Sequence, residues 1–310
     1  MLVKLGIPHR VVTSNGLVCS GEYAMALMLY RLHYPSTLAM LQTPFGRTYD
    51  QLSRIFNKTI DIVYTLHHRK VRGNLSWYRD RFDMYRDAIS AKIASLPIWI
   101  NTHPGNVPVE VNNVFAFLDG HAREICRPHG HNNAQNAFWN GYYHMHLILW
   151  IGLSFPDGMI VLDGPVVGGE TDATQWRDSE LRDDLAFIMN WRVNNGLDRL
   201  KAYADKIYHT DLLVTAAYSR RNGHLWGWMH RINLIMSRVR VAVEWSFGAL
   251  VEKWKLVQYF RGHLLQRSPV AKQFIVAGLL LNSFICLNGG QHSMYYGNLM
   301  PPTLDEYYDQ

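Results

Sequence analysis

Three apolar stretches decide the fold: VNNVFAFLDG at 111–120, HMHLILWIGLSF at 144–155 and MIVLDGPVV at 159–167. Each is bounded by turn residues and rich in branched and aromatic side chains, the pattern of a strand buried on both faces. Pro156, Asp157 and Gly158 separate the second and third runs, and a Pro-Asp-Gly between apolar runs predicts a β-hairpin. Downstream, ETDATQWRDSELRDDLAFIMN at 170–190 reads as an acidic helix. Thr171 or Asp172 can cap it, with Gln175 completing a capping box if Asp172 does so. After the Asn194-Asn195-Gly196 turn, LKAYAD at 200–205 reads as a short strand ending at Asp205. From Asn233 the pattern is helical through RVRVAVEWSFGALVEKW, and a last apolar helix covers Ala271 to Cys286. Strand, hairpin, helix, short strand, helix is the order of an α/β fold with a mixed sheet and flanking helices.

Upstream, residues 20–100 read as helical. GEYAMALMLYRL at 21–32 has few breakers and stops at His33-Tyr34-Pro35, because the residue before proline leaves the helical region. A short helix is expected over 36–42, a turn over Pro44 to Arg47, and a new helix from Tyr49 to Leu66, started by the capping-box pair Thr48 and Gln51. On that helix Leu52, Ile55, Phe56 and Val63 share one face, whereas Arg47, Gln51, Arg54 and Lys58 line another. The pattern fits a helix-turn-helix with a basic reading face, and equally a plain helical hairpin. THPGNVP at 102–108 is loop chemistry. It divides a helical basic region over 1–100 from a second region over 101–270, followed by a C-terminal helix and tail over 271–310.

The 310 residues are 48% hydrophobic and 18% charged, which excludes disorder, collagen and coiled coil. The longest mostly apolar run, Phe274 to Leu287, contains Asn282 and Ser283 and is shorter than the roughly 20 residues a bilayer span needs. No secretory signal is legible at the start, and Cys19, Cys126 and Cys286 form no CxxC. An intracellular chain with reduced thiols and no membrane partner is expected. Net charge is +6, unevenly placed. Residues 1–100 and 205–272 each carry an excess of seven positive charges, while residues 101–204 carry an excess of five negative ones. Basic blocks flanking an acidic middle suit a polyanionic partner, or are solvated faces.

Asp119 and Asp205 each follow an apolar run at the end of an expected strand, and such positions on adjacent strands converge at one sheet edge. Glu244, on the late helix, places a third carboxylate toward the sheet. Three acids without a cation repel one another, which a metal relieves. Hard oxygen donors select Mg²⁺ or Mn²⁺. Two such ions about 3.5–4 Å apart activate a water or 3′-hydroxyl and stabilise the leaving oxygen in phosphoryl transfer. Cys126, His129, His131, His144 and His146 are too irregularly spaced for a zinc site.

The ordered words FLDG (117–120), ICRP (125–128), FPDG (155–158), GP with GGETDATQWRDSEL (164–181), YADKIY (203–208) and VEWSFG (243–248) resemble the PIF/Harbinger-type DDE transposases and the nucleases domesticated from them. LYRLHYPSTLAML, FGR and QLSRI upstream are similar to the helical N-terminal region of that family, so the likeness covers about residues 20–265. It implies an RNase H-like catalytic domain with Asp119, Asp205 and Glu244 as the acidic triad holding two Mg²⁺ or Mn²⁺ ions. Asp172 matches a further position, usually a His-Asp pair; here Thr171 replaces the histidine, and Asp172 is either helix cap or additional metal residue. Arg238 and Arg240, with Lys253 and Lys255, would line the DNA path, and Arg47, Gln51, Arg54 and Lys58 would contact DNA from the N-terminal helices. The implied protein is a nuclear, divalent-metal-dependent endonuclease or transposase acting on double-stranded transposon ends and target DNA. It would work as a homo-oligomer with a Myb-like accessory protein. The alternative is a domesticated, catalytically silent DNA-binding or scaffold protein.

Overall fold

The computed structural model describes residues 1–97, 108–129, 132–220, 223–265 and 267–309. The loop expected over 102–108 lies, apart from Pro108, outside the described residues, as does His131. The chain enters through a small antiparallel hairpin, β1 (Arg10–Val12) and β2 (Val18–Ser20). Ser20 then caps α1 (Gly21–His33), its hydroxyl accepting the Tyr23 N–H at 3.2 Å. Residues 36–41 are turns rather than the expected helix, and a single helical turn, α2 (Gln42–Phe45), follows. Thr37 draws the Met40 N–H onto its own hydroxyl at 3.4 Å, a local bond that competes with helix propagation. Gly46, at φ +62°, closes α2 in the left-handed region, a conformation glycine adopts without a Cβ clash. The next helix, α3 (Tyr49–His67), starts where the Thr48–Gln51 pair predicts: the Gln51 side chain accepts the Thr48 N–H at 3.3 Å. Its inner face buries Leu52, Ile55, Phe56, Ile60 and Val63. Two 3₁₀ turns, His68–Lys70 and Ser76–Arg81, lead to α4 (Phe82–Ser95).

The sheet follows: β3 (Val114–Glu124), α5 (Asn132–Phe138), β4 (Trp139–Asn140), β5 (Met145–Ser154), β6 (Ile160–Val167), α6 (Asp172–Arg177), α7 (Glu180–Asn194), β7 (Lys201–Ala204) and β8 (Val214–Ala216). The chain closes with α8 (Gly227–Lys253), α9 (Val270–Asn288), α10 (Gln291–Tyr295) and α11 (Leu304–Asp309). Strand β3 lies at the centre, antiparallel to β5 on one edge and parallel to β7 on the other. Beyond β7 lies parallel β8; the far edge of β5 carries antiparallel β6, with β4 pairing the start of β5. The molecule is therefore an α/β protein with a mixed sheet and flanking helices. The β5–β6 hairpin turns through Pro156-Asp157-Gly158 as expected, with Gly158 at φ +92°. Asp157, fully buried, accepts the Met159 N–H at 3.1 Å and the Tyr85 hydroxyl at 2.6 Å and pairs with Arg81 at 3.3 Å, which ties the hairpin to α4.

One continuous apolar cluster runs from Leu5 to Tyr308 and includes the inner faces of α1, α3, α4, the sheet and α9. The N-terminal helices therefore share a core with the sheet. Helix α9 is 19 residues long and apolar enough to cross a bilayer by length and composition, but most of it is buried among α3, β6 and neighbouring helices. Gly278 lets it approach: a Cβ there would lie 3.0 Å from both Leu162 and Val71 side chains. Four residues on, fully buried Asn282 pairs with the backbone of Ile160, accepting its N–H at 3.0 Å and donating to its carbonyl at 2.9 Å. Its amide also donates to the Tyr307 hydroxyl at 3.2 Å. Replacing Asn282 by leucine orphans both Ile160 groups, and each unmade buried bond costs about 1–3 kcal/mol. Asn282→Leu is thus expected to lower stability by about 2–5 kcal/mol, read as a drop in the urea midpoint at unchanged slope.

Candidate functional site

The pairing of β3 with β7 positions the first two acids. Leu118 lies opposite Ala204 at the end of their parallel register, so Asp119, in the middle of β3, and Asp205, one residue past the end of β7, stand side by side. The expected strand end at Asp119 is not one: β3 continues to Glu124 because β5 pairs with it that far. The Asp119 carboxylate accepts the Gly120 N–H at 3.1 Å, and that of Asp205 accepts the Lys206 N–H at 2.7 Å. Between them reaches Arg240 from α8, one guanidinium nitrogen 3.4 Å from Asp119 and the other 3.8 Å from Asp205. Its Nε is buried and has no hydrogen-bond partner among the described residues.

Asp172 completes the group from a third direction. Thr171 is the cap of α6, accepting the Thr174 N–H at 3.2 Å, so the capping role that sequence leaves open between the two falls to the threonine. The Asp172 carboxylate instead lies against Gly120: a Cβ built on Gly120 would sit 2.4 Å from its Cγ and Oδ2. Glycine at 120 thus leaves the space this carboxylate fills. Burial, above all, raises the Asp172 pKa, and the charges of Asp119 and Asp205 add to it. Burial likewise raises Asp119, opposed by Arg240 and the Gly120 N–H and reinforced by Asp205. Partly buried Asp119 and Asp172 therefore stand close to half-exposed Asp205, and like charge adds to burial in raising the first two.

Glu244 lies one turn beyond Arg240 on the exposed flank of α8, and no hydrogen bond or ion pair joins it to Asp119, Asp172 or Asp205. Among the described residues, no group of three or more His, Cys, Asp or Glu side chains is arranged to hold a metal ion. Two tyrosines that sequence reading passed over border the acids. Tyr208, in the YADKIY word three residues past Asp205, is buried with its hydroxyl unbonded among the described residues. Its pKa is pushed well up, first by burial and then by Asp172 and Asp119. Tyr143 is raised by burial and by the same two carboxylates. No residue type marked either tyrosine in advance; only proximity to Asp205 in sequence pointed to Tyr208.

The remaining expected site residues are dispersed. Arg238 is exposed two residues before Arg240, which a helix turns to a different face. Arg47 is engaged within the N-terminal region, donating to the Val18 carbonyl at 3.1 Å with its guanidinium 5.4 Å from the Tyr23 ring centre. Gln51 is occupied as the α3 cap, whereas Arg54 and Lys58 line an open cleft. Lys253 stacks over Phe284 at 3.6 Å. His144 and His146 pack beside Trp139. Comparison with family models, curated proteins and solved structures finds no match to this chain.

The raised pKa of Asp172 has a direct consequence. A carboxyl whose folded pKa exceeds its unfolded value of about 3.9 favours the folded state fully only below that value, and the advantage is lost as pH rises through the folded pKa. Asp172→Asn removes the repelled charge and is expected to raise Tm at pH 7, the gain shrinking as the pH approaches about 3.9. A thermal melt series across pH checks this; a lower Tm at pH 7 would contradict the geometry.

Proposed function

We propose that the chain is a divalent-metal-dependent DNA endonuclease or transposase of the DDE kind, built on an RNase H-like sheet and preceded by helix-turn-helix-like N-terminal helices. The observation that carries this reading is the convergence of Asp119 and Asp205, bridged by Arg240, with Asp172, where the β3–β7 pairing ends. The sheet supports it: a central strand, an antiparallel hairpin on one side and two parallel strands on the other is the arrangement such a domain requires. The likeness in the local words adds DNA as substrate, and with it a Myb-like partner, homo-oligomeric assembly and nuclear location.

The chemistry of the donors suits Mg²⁺ or Mn²⁺, being hard carboxylate oxygens whose mutual repulsion a cation relieves, although as they stand among the described residues they are not closed around an ion position. Asp119, central between the other two, would be shared by two ions; Asp205 would secure one, and Glu244, brought in from the flank of α8, the other. Bound there, the ions would supply activation of a water or 3′-hydroxyl and stabilisation of the leaving oxygen. Asp172, packed on Gly120, would orient and tune the group from behind. Tyr208 offers a buried hydroxyl donor to an oxygen entering beside Asp172. Arg240 holds Asp119 and Asp205 apart from one another's charge and must yield part of that contact on loading.

A second reading, a catalytically silent DNA-binding or scaffold protein, is favoured by one observation: Arg240 already gives both aspartates a permanent counter-charge. Nicking of supercoiled plasmid with Mn²⁺, Mg²⁺ or EDTA separates the two. The enzyme reading expects metal-dependent nicking that Asp119→Asn and Asp205→Asn abolish. It also expects Asp172→Asn to reduce it by about 10- to 100-fold, the effect of losing a supporting residue behind metal ligands. Mn²⁺ should then raise Tm for the wild type and not for Asp205→Asn, since a ligand bound only by the folded state stabilises it. No nicking together with no shift on Mn²⁺ would establish the silent protein.

A further inference from the structure

The two basic blocks of the sequence, far apart along the chain, meet in space. Arg54 and Lys58 of α3, from the first block, face Arg267 and Lys272, from the third, across an open cleft of about 760 Å³. Thr13, Ser14, Asn57 and Ser268 supply polar wall, and Pro269 precedes the first turn of α9 at its side. Lys272 pairs with Asp61, the one carboxylate of the lining. Arg54, Lys58 and Arg267 form no ion pair among the described residues. Four cations against one carboxylate, with three cations uncompensated, is a costly concentration of like charge unless an anion balances it. The cleft shares no residue with the acidic site.

We propose that this cleft holds backbone phosphates of duplex DNA, as a sequence-independent contact separate from the acidic site; the inference rests on the DNA-acting reading above. The chemistry is that of phosphate: arginine forks bond phosphate oxygens bidentately, and lysine adds a mobile point charge. The shape favours a chain passing through. Arg54 and Arg267 are exposed at the rim, so the groove is open to a protruding backbone rather than closed around a small ion. A flat lipid surface would meet the rim without entering the recess. The pairing also explains why Arg54 and Lys58 make no side-chain hydrogen bond or ion pair among the described residues, whereas Arg47, just before the Thr48 cap of α3, and Gln51, in its first turn, do. The latter two serve the fold, and the former two face the cleft.

The test is the salt dependence of binding to a short labelled duplex, by fluorescence anisotropy, for the full chain and for Arg54→Gln/Arg267→Gln. Each neutralised phosphate contributes a slope of about 0.9 in log K against log salt. The double variant is expected to bind more weakly, with a slope smaller by about 1.8, so that between 50 and 200 mM salt the wild type loses about 12-fold more affinity than the variant. The loss should be equal on two unrelated sequences, and Lys58→Gln should reduce the slope by about half as much. Arg79→Gln/Arg177→Gln removes the same charge at exposed positions outside the cleft and should leave the slope near wild type. Binding is measured in EDTA, where no cutting occurs, so failure to cut and failure of the cleft are read separately. An unchanged slope in the cleft variants, a loss confined to one sequence, or no binding of the duplex at all would overturn the proposal. So would a cleft-dependent response to tripolyphosphate or to phosphatidylserine vesicles that duplex DNA does not share.

Discussion

The parallel pairing of β3 with β7 is the constraint on which the rest depends. These strands are distant in sequence, separated by α5, β4, the β5–β6 hairpin, α6 and α7, and they meet in a register that sets Leu118 against Ala204. A slip of one residue would turn every side chain of β7 to the opposite face and move Asp205 away from Asp119. That register is held by burial: Ala202, Tyr203 and Ala204 are all buried, as are Phe115 to Leu118 opposite them. The antiparallel partner β5, buried along Leu147–Ser154, fixes the other edge of β3. Apolar packing on both sides thus determines where two charged residues stand, and neither aspartate needs to contribute to stability for its position to be set.

Fixed in that way, the acids can be placed against their own electrostatics. Burial above all holds Asp119 and Asp172 above ordinary carboxylate values, with Asp205 adding to the first and Asp119 and Asp205 to the second, a state a freely choosing chain would avoid. Arg240 offsets part of this, and its position follows from α8 crossing the sheet edge, with Ile232, Ile235, Met236 and Val239 buried beneath it. The strain is concentrated at one edge, while the opposite end of the hairpin uses a comparable charge differently. Asp157 there is buried but satisfied by Arg81, Tyr85 and Met159, and it joins elements without leaving surplus charge.

Sequence made legible whatever depends on local chemistry. The Pro-Asp-Gly hairpin, the Thr48–Gln51 start of α3, the end of β7 before Asp205 and the apolar α9 all follow from residue types at short range, whereas β3 runs past the expected end at Asp119 to Glu124 because distant β5 pairs with it. What it did not disclose depends on contacts between distant segments. Arg240, read from sequence, is four residues from Glu244 and fits a helix-surface pair; only the crossing of α8 over the sheet edge shows it between Asp119 and Asp205. Strand β8 has three residues and is a strand only because β7 lies beside it. Arg47 and Arg54 fit one helical spacing in sequence, yet Arg47 stands before the Thr48 cap and bonds Val18, while Arg54 on α3 lines a cleft. Asp172 was ambiguous because threonine and aspartate are both good caps; which one caps and which faces Gly120 is settled by the approach of α6 to β3.

The charge balance of the acidic edge bears on how it would load metal. Ionised Asp119, Asp172 and Asp205 with Arg240 leave two negative charges, the charge of one divalent cation. The set as it stands therefore matches one ion electrostatically, and a second must bring its own counter-charge. Glu244 is the available carboxylate, one turn along α8 from Arg240, so the same helix that carries the competing guanidinium carries the acid a second ion needs. Movement of α8 that weakens the Arg240 contacts would carry Glu244 with it, because both are rigidly spaced on one helix. If the chain acts on DNA as proposed, the phosphate to be cut would be the other source of negative charge. In the proposed reading, two-ion loading would then be linked to substrate arrival, and Arg240 offsets part of the repulsion at Asp119.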